Sequence, residues 1–212
     1  MTATSSNSRV VSWVGRWHQS LVFERRVRVL AERLAVEIAQ NSSLLDIGCG
    51  DGSISSLIRS AVPGVQIQGI ETTERPGCLI ACQHFDGVHI PFPSGAFDVS
   101  ILVDVLHHTE AIPDLLAEAA RVSRRFVLIK DHVCESALDF RTLQFMDWVG
   151  NRSHGVVLPY NYQSRAQWMT FFADCGLRVH SWNGDLPLYS TPFNAVFGRG
   201  LHFVALLEKA AS

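Results

Sequence analysis

Residues 44–61 constrain this chain more than any other stretch. Leu44-Leu45-Asp46-Ile47 is a short apolar run, and Gly48-Cys49-Gly50-Asp51-Gly52 places three glycines in five positions. The segment SISSLIRSA (53–61) reads as a helix that stops at Pro63-Gly64. A buried strand running through a glycine turn into a helix is the opening unit of a parallel α/β sheet. Glycine suits such a turn because backbone must approach a ligand closely and adopt positive φ. The dinucleotide fingerprint would place its third glycine at 53, where Ser53 stands. That spacing counts against NAD or FAD and against a nicotinamide-linked oxidoreductase.

The alternation continues. Strands are expected at 65–71 (VQIQGIE), ending near 84–87 (HFDG), at 97–104 (FDVSILVD) and at 125–131 (RFVLIKD), with a helix at 112–123. The run at 97–104 is almost continuously apolar, as in a strand buried on both faces. Upstream, residues 20–40 carry Leu21, Val27, Leu30, Leu34 and Ile38 at helical spacing, and residues 9–18 form a short amphipathic lid candidate. Downstream, 136–149 is helical and 150–163 a polar, aromatic loop. Ser164 with Gln167 forms a capping box for a helix ending at Gly176, and the last strands are 178–182 and 201–208. Trp168 and Trp182 are expected in the core.

Composition narrows the function. The net charge is −2 and no basic stripe occurs, so nucleic acid is not an expected partner. No apolar run is long enough to span a bilayer, and residues 1–10 do not read as a signal peptide. Five cysteines in no tight pattern fit reduced thiols and a cytoplasmic location. Cys78 and Cys82 lack the second pair that a zinc site needs, and Cys49 reads as a small packing residue. No metal-ligand spacing is evident. Charged residues are 18 % of the chain against about 25 % in an average domain, which leaves little charge for the surface, and no acidic, charge-rich pocket is expected on the acceptor side.

Glu71 closes the second strand about 20 residues beyond the glycine turn, where a carboxylate can accept from two ribose hydroxyls. With DIGCGDG and GIE, the segment HFDGVHIPFPSGAFDVSILVDVLHH resembles the class I S-adenosylmethionine-dependent methyltransferases, closest to their small-molecule, type 11-like branch. The motifs cover residues 44–131. The resemblance implies an α/β Rossmann-like fold: a mostly parallel seven-stranded sheet with an antiparallel last strand and helices on both faces. It implies one methyltransferase domain over 1–212. Within it, 1–40 would be a helical lid region, 44–131 the cofactor core, 132–163 an insertion forming the acceptor pocket, and 164–212 the closing helix and strands.

The cofactor roles follow residue by residue. The resemblance places Asp46, Gly48, Cys49 and Gly50 at the methionine moiety, and Glu71 on the ribose with Thr72 beside it. It places Asp86 and Gly87 at the adenine edge, and Val103 and Asp104 beside the cofactor. Ile80 or Leu79 would pack on the adenine, because Pro76-Gly77 leaves no full helix between strands two and three.

Candidate catalytic residues are His107, Asp131 and His132, which end strands four and five and aim at one crevice. Direct pairing of Asp131 with His132 is not expected, because neighbouring strand residues point to opposite faces. Candidate acceptor contacts are His108, Trp148, Asn151, His154, Tyr160 and Asn161. The implied activity is methyl transfer by displacement to a small organic acceptor, an aromatic or lipid-like hydroxyl or an activated carbon, by a monomer or homodimer. The alternative is a cofactor-binding scaffold or partner subunit without turnover.

Overall fold

The computed structural model describes residues 23–73, 75–151 and 158–210. The lid candidate at 9–18 and His154 lie outside them, as does the side chain of Asn151. Helix α1 occupies 23–35. The elements that follow are β1 (Ser43–Ile47), α2 (Ser53–Ala61), β2 (Gln66–Glu71), β3 (Cys82–His84) and β4 (Phe97–Val103). A single 3-10 turn (Leu106–His108) precedes α3 (Ile112–Val122), β5 (Ser123–His132) and α4 (Ala137–Asn151). The chain ends with α5 (Arg165–Asp174), β6 (Leu177–Asn183), α6 (Phe193–Phe197) and β7 (His202–Lys209).

The seven strands form one sheet in the order β3-β2-β1-β4-β5-β7-β6. All neighbouring pairs are parallel except those made by β7, which runs against both β5 and β6. This is the expected fold class. Each central strand alternates its apolar side chains between two cores. Leu45, Ile47, Val127 and Ile129 face α3 and α5, while Leu44, Ile101 and Leu128 face α1 and α2. Burial on both faces explains the near-continuous apolar runs of β1, β4 and β5.

The order in which successive strands are added switches sides between the parallel neighbours β1 and β4, which opens a crevice at their carboxyl ends. Two expectations shift there. The third strand ends at His84, before Phe85-Asp86-Gly87. His107 and His108 sit in the 3-10 turn rather than on β4, which ends at Val103.

Of the two tryptophans expected in the core, Trp168 lies within it and Trp182 is half-buried, packed against it. Trp168 is fully buried and donates from Nε1 to the His132 carbonyl at 2.9 Å. Trp182 stacks on Phe203 with ring centres 4.1 Å apart. Helix α5 starts at the anticipated capping box: Ser164 Oγ accepts from the Gln167 amide, and Gln167 Oε1 accepts from the Ser164 amide. Ser164→Ala should therefore lower stability by about 1 kcal/mol, seen as a lower urea midpoint at unchanged slope.

Candidate active site

The glycine turn is shaped by close approach. Gly48 has φ +72°, and a Cβ there would lie 2.6 Å from Val105, the residue that bridges β4 and the 3-10 turn. Gly69, opposite Asp46 in β2, would place a Cβ 2.7 Å from Cys49 Sγ. The turn is thus clamped between β4 on one side and β2 on the other.

Glu71 braces it. Its carboxylate accepts from the Gly50 amide at 2.8 Å, and from the Thr72 amide and hydroxyl at 2.8 and 3.2 Å. Segment 75–81 folds back over the turn, with the Leu79 amide donating to the Asp51 carbonyl. Beside it lies a cavity of about 300 Å³ lined by Glu71, Arg75, Cys78, Ile80, Cys82, Gln83 and His84. That volume is at the lower end for small-molecule pockets, about 300–1,000 Å³. Ile80 is buried against the turn whereas Leu79 is exposed. Among the described residues, no helix forms between β2 and β3.

Asp46 is buried, and Ser55 Oγ donates to it at 2.5 Å. Burial pushes its carboxyl up to about 7, Ser55 pulls the other way, and the nearby Glu71 charge adds to the rise. Cys49 and Cys82 bring their sulfurs to 3.3 Å. Asp86 is exposed, with its carboxylate engaged by its own loop: it accepts from the Val88 and His89 amides and meets the His89 ring. The His89 contact and those amides hold it at about 2. Gly87 lies against Thr72, where a Cβ would sit 3.2 Å from Cγ2.

On the other side of the crevice the carboxyl ends of β4, β5 and β7 carry a dense polar network. Asp104 leaves β4 in the left-handed region, φ 57°. It accepts from Arg26 of α1 at 2.5 Å and from the fully buried Lys130. Lys130 also lies 3.4 Å from His202 Nδ1. Burial lowers the Lys130 ammonium, and Asp104 offsets part of that.

Asp131 accepts from the Leu106 amide at 3.1 Å and faces His107 Nδ1 at 2.7 Å. Burial alone would depress His107, but the Asp131 charge outweighs it and raises the imidazole above its ordinary value. His132 stands in the same cluster, 3.4 Å from His107, and burial lowers it to about 4. Strand alternation argued against an Asp131–His132 approach. The carboxylate instead folds back on its own strand end, accepting the His132 amide at 2.8 Å with the ring nitrogen at 3.3 Å.

The acceptor-side candidates divide. Asn161 donates to the Thr109 carbonyl and, through its amide, to that of His107. Tyr160 and the half-exposed Trp148 line a second cavity of about 300 Å³ with Arg141, Gln144 and Phe145. His108 is partly buried beside His107, ring centres 4.0 Å apart.

The expectation of a charge-poor acceptor side is corrected. Arg26, Asp104, Lys130, Asp131 and Asp147 converge there with four histidines. The chain is low in charge overall because its strands are buried on both faces, not because the crevice lacks it. Arg26, Asp147, Tyr162 and His202 were not picked out as site residues. Asp147 and Tyr162 had only the polarity of their segment to mark them. Arg26 was one of several arginines on a helix, and His202 opened a strand.

A methyltransferase-domain family model matches residues 17–181, and the chain belongs to that family. It is similar to the 27-O-demethylrifamycin SV methyltransferase of Amycolatopsis mediterranei (strain S699), 29 % identical over 127 residues. The match covers 52 % of this chain and 46 % of that protein, so the chain spans about half the length of its curated relative. Its fold matches a chain in the complex between the Haloferax volcanii Trm112 methyltransferase activator and a methyltransferase, with TM-score 0.68 and 12 % identity, covering 94 % of this chain and 97 % of that one. It also matches an S-adenosylmethionine-dependent methyltransferase of Thermotoga maritima, with TM-score 0.64 and 17 % identity, covering 95 % and 97 %. The family is one of transferases and implies S-adenosylmethionine as methyl donor.

Removing one partner of a buried ion pair leaves the other charge uncompensated, at a cost of about 3–5 kcal/mol. Asp104→Asn, which takes the carboxylate from both the fully buried Lys130 and Arg26, is expected to lose stability in that range, measured by urea unfolding. Lys130→Met leaves Asp104 paired with Arg26 and should cost less.

Proposed function

We propose that this chain transfers a methyl group from S-adenosylmethionine to a hydroxyl of a small organic acceptor. The observation that carries the reading is the pairing of two different surfaces across one crevice. One is a clamped glycine turn with a strand-end carboxylate and a nucleoside-sized cavity. The other is a buried histidine–carboxylate cluster.

The cofactor supplies a methyl group already activated by the positive charge on its sulfonium. The residues present fit it. Glu71 keeps a lone pair on Oε2 for a ribose hydroxyl, and the Thr72 hydroxyl is free to rotate away and open Oε1. Gly48, Cys49 and Gly50 present backbone to the methionine portion, and Asp46 presents a carboxyl to its amino group. Ile80 gives the adenine an apolar wall. Asp86 and Gly87 close the far edge, with Asp86 reaching the adenine amine through the acceptor capacity its loop leaves. Val103 and Asp104 complete the floor, Asp104 by holding Arg26 and Lys130 in place.

On the acceptor side Asp131 holds His107 at Nδ1, which presents the Nε2 lone pair outward from the pair. His132 keeps a neutral ring beside it. This cluster polarises the acceptor hydroxyl and receives its proton, while residues 132–163, with Trp148, Tyr160 and Asn161, hold the acceptor body. His108 stands at the same end. The bond to the methyl carbon forms at the acceptor oxygen as the sulfonium bond breaks, so positioning on that line is the protein's main task.

Two measurements test this. Calorimetry should find micromolar binding of S-adenosylhomocysteine to the full chain, at least tenfold weaker in Glu71→Ala, whose melting remains cooperative. Binding should also be about tenfold tighter at pH 8 than at pH 6. Asp46 is partly protonated near 7, an arriving ammonium favours its carboxylate, and below that pH the proton must first be expelled. No binding of either nucleoside overturns the cofactor reading.

Turnover is tested with a labelled methyl donor and a panel of hydroxylated small molecules. His107→Ala should lower kcat by about 10²–10⁴-fold while S-adenosylhomocysteine binding persists. Cofactor binding with no acceptor methylated in any cell extract would favour a non-catalytic scaffold instead.

A further inference from the structure

His107, His108 and Asp147 each direct one ligand-type atom to a common point, and the three atoms lie within 4.8 Å of one another. His107 Nε2 and Asp147 Oδ2 are already 3.5 Å apart. The two nitrogens, His107 Nε2 and His108 Nδ1, are buried and have no hydrogen-bond partner among the described residues. Buried ring nitrogens nearly always find one. Two side by side therefore call for an occupant that accepts lone pairs.

The tautomer of His107 supports this. Its Nδ1 faces the acceptor-only carboxylate of Asp131 at 2.7 Å, so in the neutral ring the proton sits on Nδ1 and the Nε2 lone pair is free to bind. A carboxylate behind a histidine is the usual outer support of a metal ligand. Asp147 has a comparable support, because the Tyr162 hydroxyl donates to its Oδ2.

The geometry points to a divalent transition-metal site formed by His107 Nε2, His108 Nδ1 and an Asp147 oxygen. Two imidazoles and one carboxylate suit Zn²⁺, Fe²⁺ or Mn²⁺. An ion bound at about 2.0–2.2 Å from each atom holds neighbouring ligand atoms roughly 3–3.5 Å apart. The His107–Asp147 edge has that length now, and the other edges close by up to about 1.5 Å through side-chain rotation. Three protein ligands leave coordination positions open. With the ion bound, His107 Nε2 is a ligand rather than the base, and an acceptor hydroxyl bound at an open position loses its proton more readily to solvent, as metal-bound water does. That role rests on the methyl-transfer reading, whereas ion binding itself does not.

The sequence concealed this site because Asp147 joins the histidines only through packing of α4. Two other groups among the described residues also bring ligand-type atoms within 4.8 Å of one another: Cys49, Cys78 and Cys82 at the cofactor turn, and Asp104, His107 and His132, whose Asp104 is already held by Arg26 and Lys130.

The test uses the full chain, stripped of metal with a chelator and titrated with Co²⁺ while its absorption is followed. Zn²⁺ affinity is then read by competition with a chromophoric chelator. One ion per chain is expected, with weak visible cobalt bands and no intense thiolate-to-cobalt band in the near ultraviolet. Binding should weaken at least tenfold in His108→Ala and, independently, in Asp147→Asn. S-adenosylhomocysteine calorimetry on the same variants confirms that each is folded. Absence of stoichiometric binding, an intense thiolate band, or wild-type affinity in both variants overturns the proposal. Failure of the wild-type chain to bind S-adenosylhomocysteine while Co²⁺ behaves as expected would remove the methyl-transfer reading and leave the metal site standing.

Discussion

A lysine with no exposed surface, at the carboxyl end of a central strand, has to be paired where it stands. Lys130 finds its counter-charge in Asp104, and much of the crevice follows from that contact. To reach Lys130, the chain leaves β4 at Asp104 with left-handed backbone. The turn carries Val105 over Gly48, and so sets how close the glycine turn can come to β4. It also starts the 3-10 turn that brings His107 to Asp131. The second oxygen of Asp104 binds Arg26, which fastens α1 to the same end of the sheet. One buried ion pair thereby fixes the floor of the crevice and one of its walls.

The two sides of that crevice work by different means. The cofactor side is built mainly from backbone, positive-φ glycines and amide donors, with the two carboxyl groups of Asp46 and Glu71 at strand ends. Asp46 on this side has a carboxyl near neutrality because little around it compensates burial except Ser55. The opposite side is built from side chains whose charges compensate one another. Asp131 sits well below the usual carboxylate range despite burial because His107 and His132 face it. His132 is lowered by burial and by neighbouring cations. Their protonation states are properties of the cluster, so a change at any member moves the rest.

That difference explains what could be read from the sequence. The strands, their parallel arrangement and the capping box at Ser164 were legible because they depend on local patterns: apolar runs, alternation and terminal caps; the seven-stranded architecture came from the family resemblance. The glycine turn and Glu71 were legible because their spacing is set by one strand–turn–helix unit and the next strand. The pairing of Asp131 with His107 was not, because strand alternation says where a Cβ points but not where a carboxylate folds back. Arg26, Asp147 and His202 were not, because each reaches the crevice from an element with no local signature of doing so. Asp104 was placed correctly at a strand end, yet its partners lie on α1 and β5 and no spacing links them.

The chain's low charge follows from the same division. A sheet covered on both faces has few places for a charged side chain, and the places that remain are the strand ends. Asp46, Glu71, Asp104, Lys130 and Asp131 all stand there. At the end of β1 or β2 a carboxylate meets backbone amides or a hydroxyl and stays receptive to a ligand's own donors. At the ends of β4 and β5 it meets cations from across the fold and becomes part of the framework. The identity of the strand thus separates acids that remain open to a ligand from acids that hold other residues in place. By that criterion Asp104 belongs to the framework, and His107 owes its orientation to Asp131 rather than to any bound molecule.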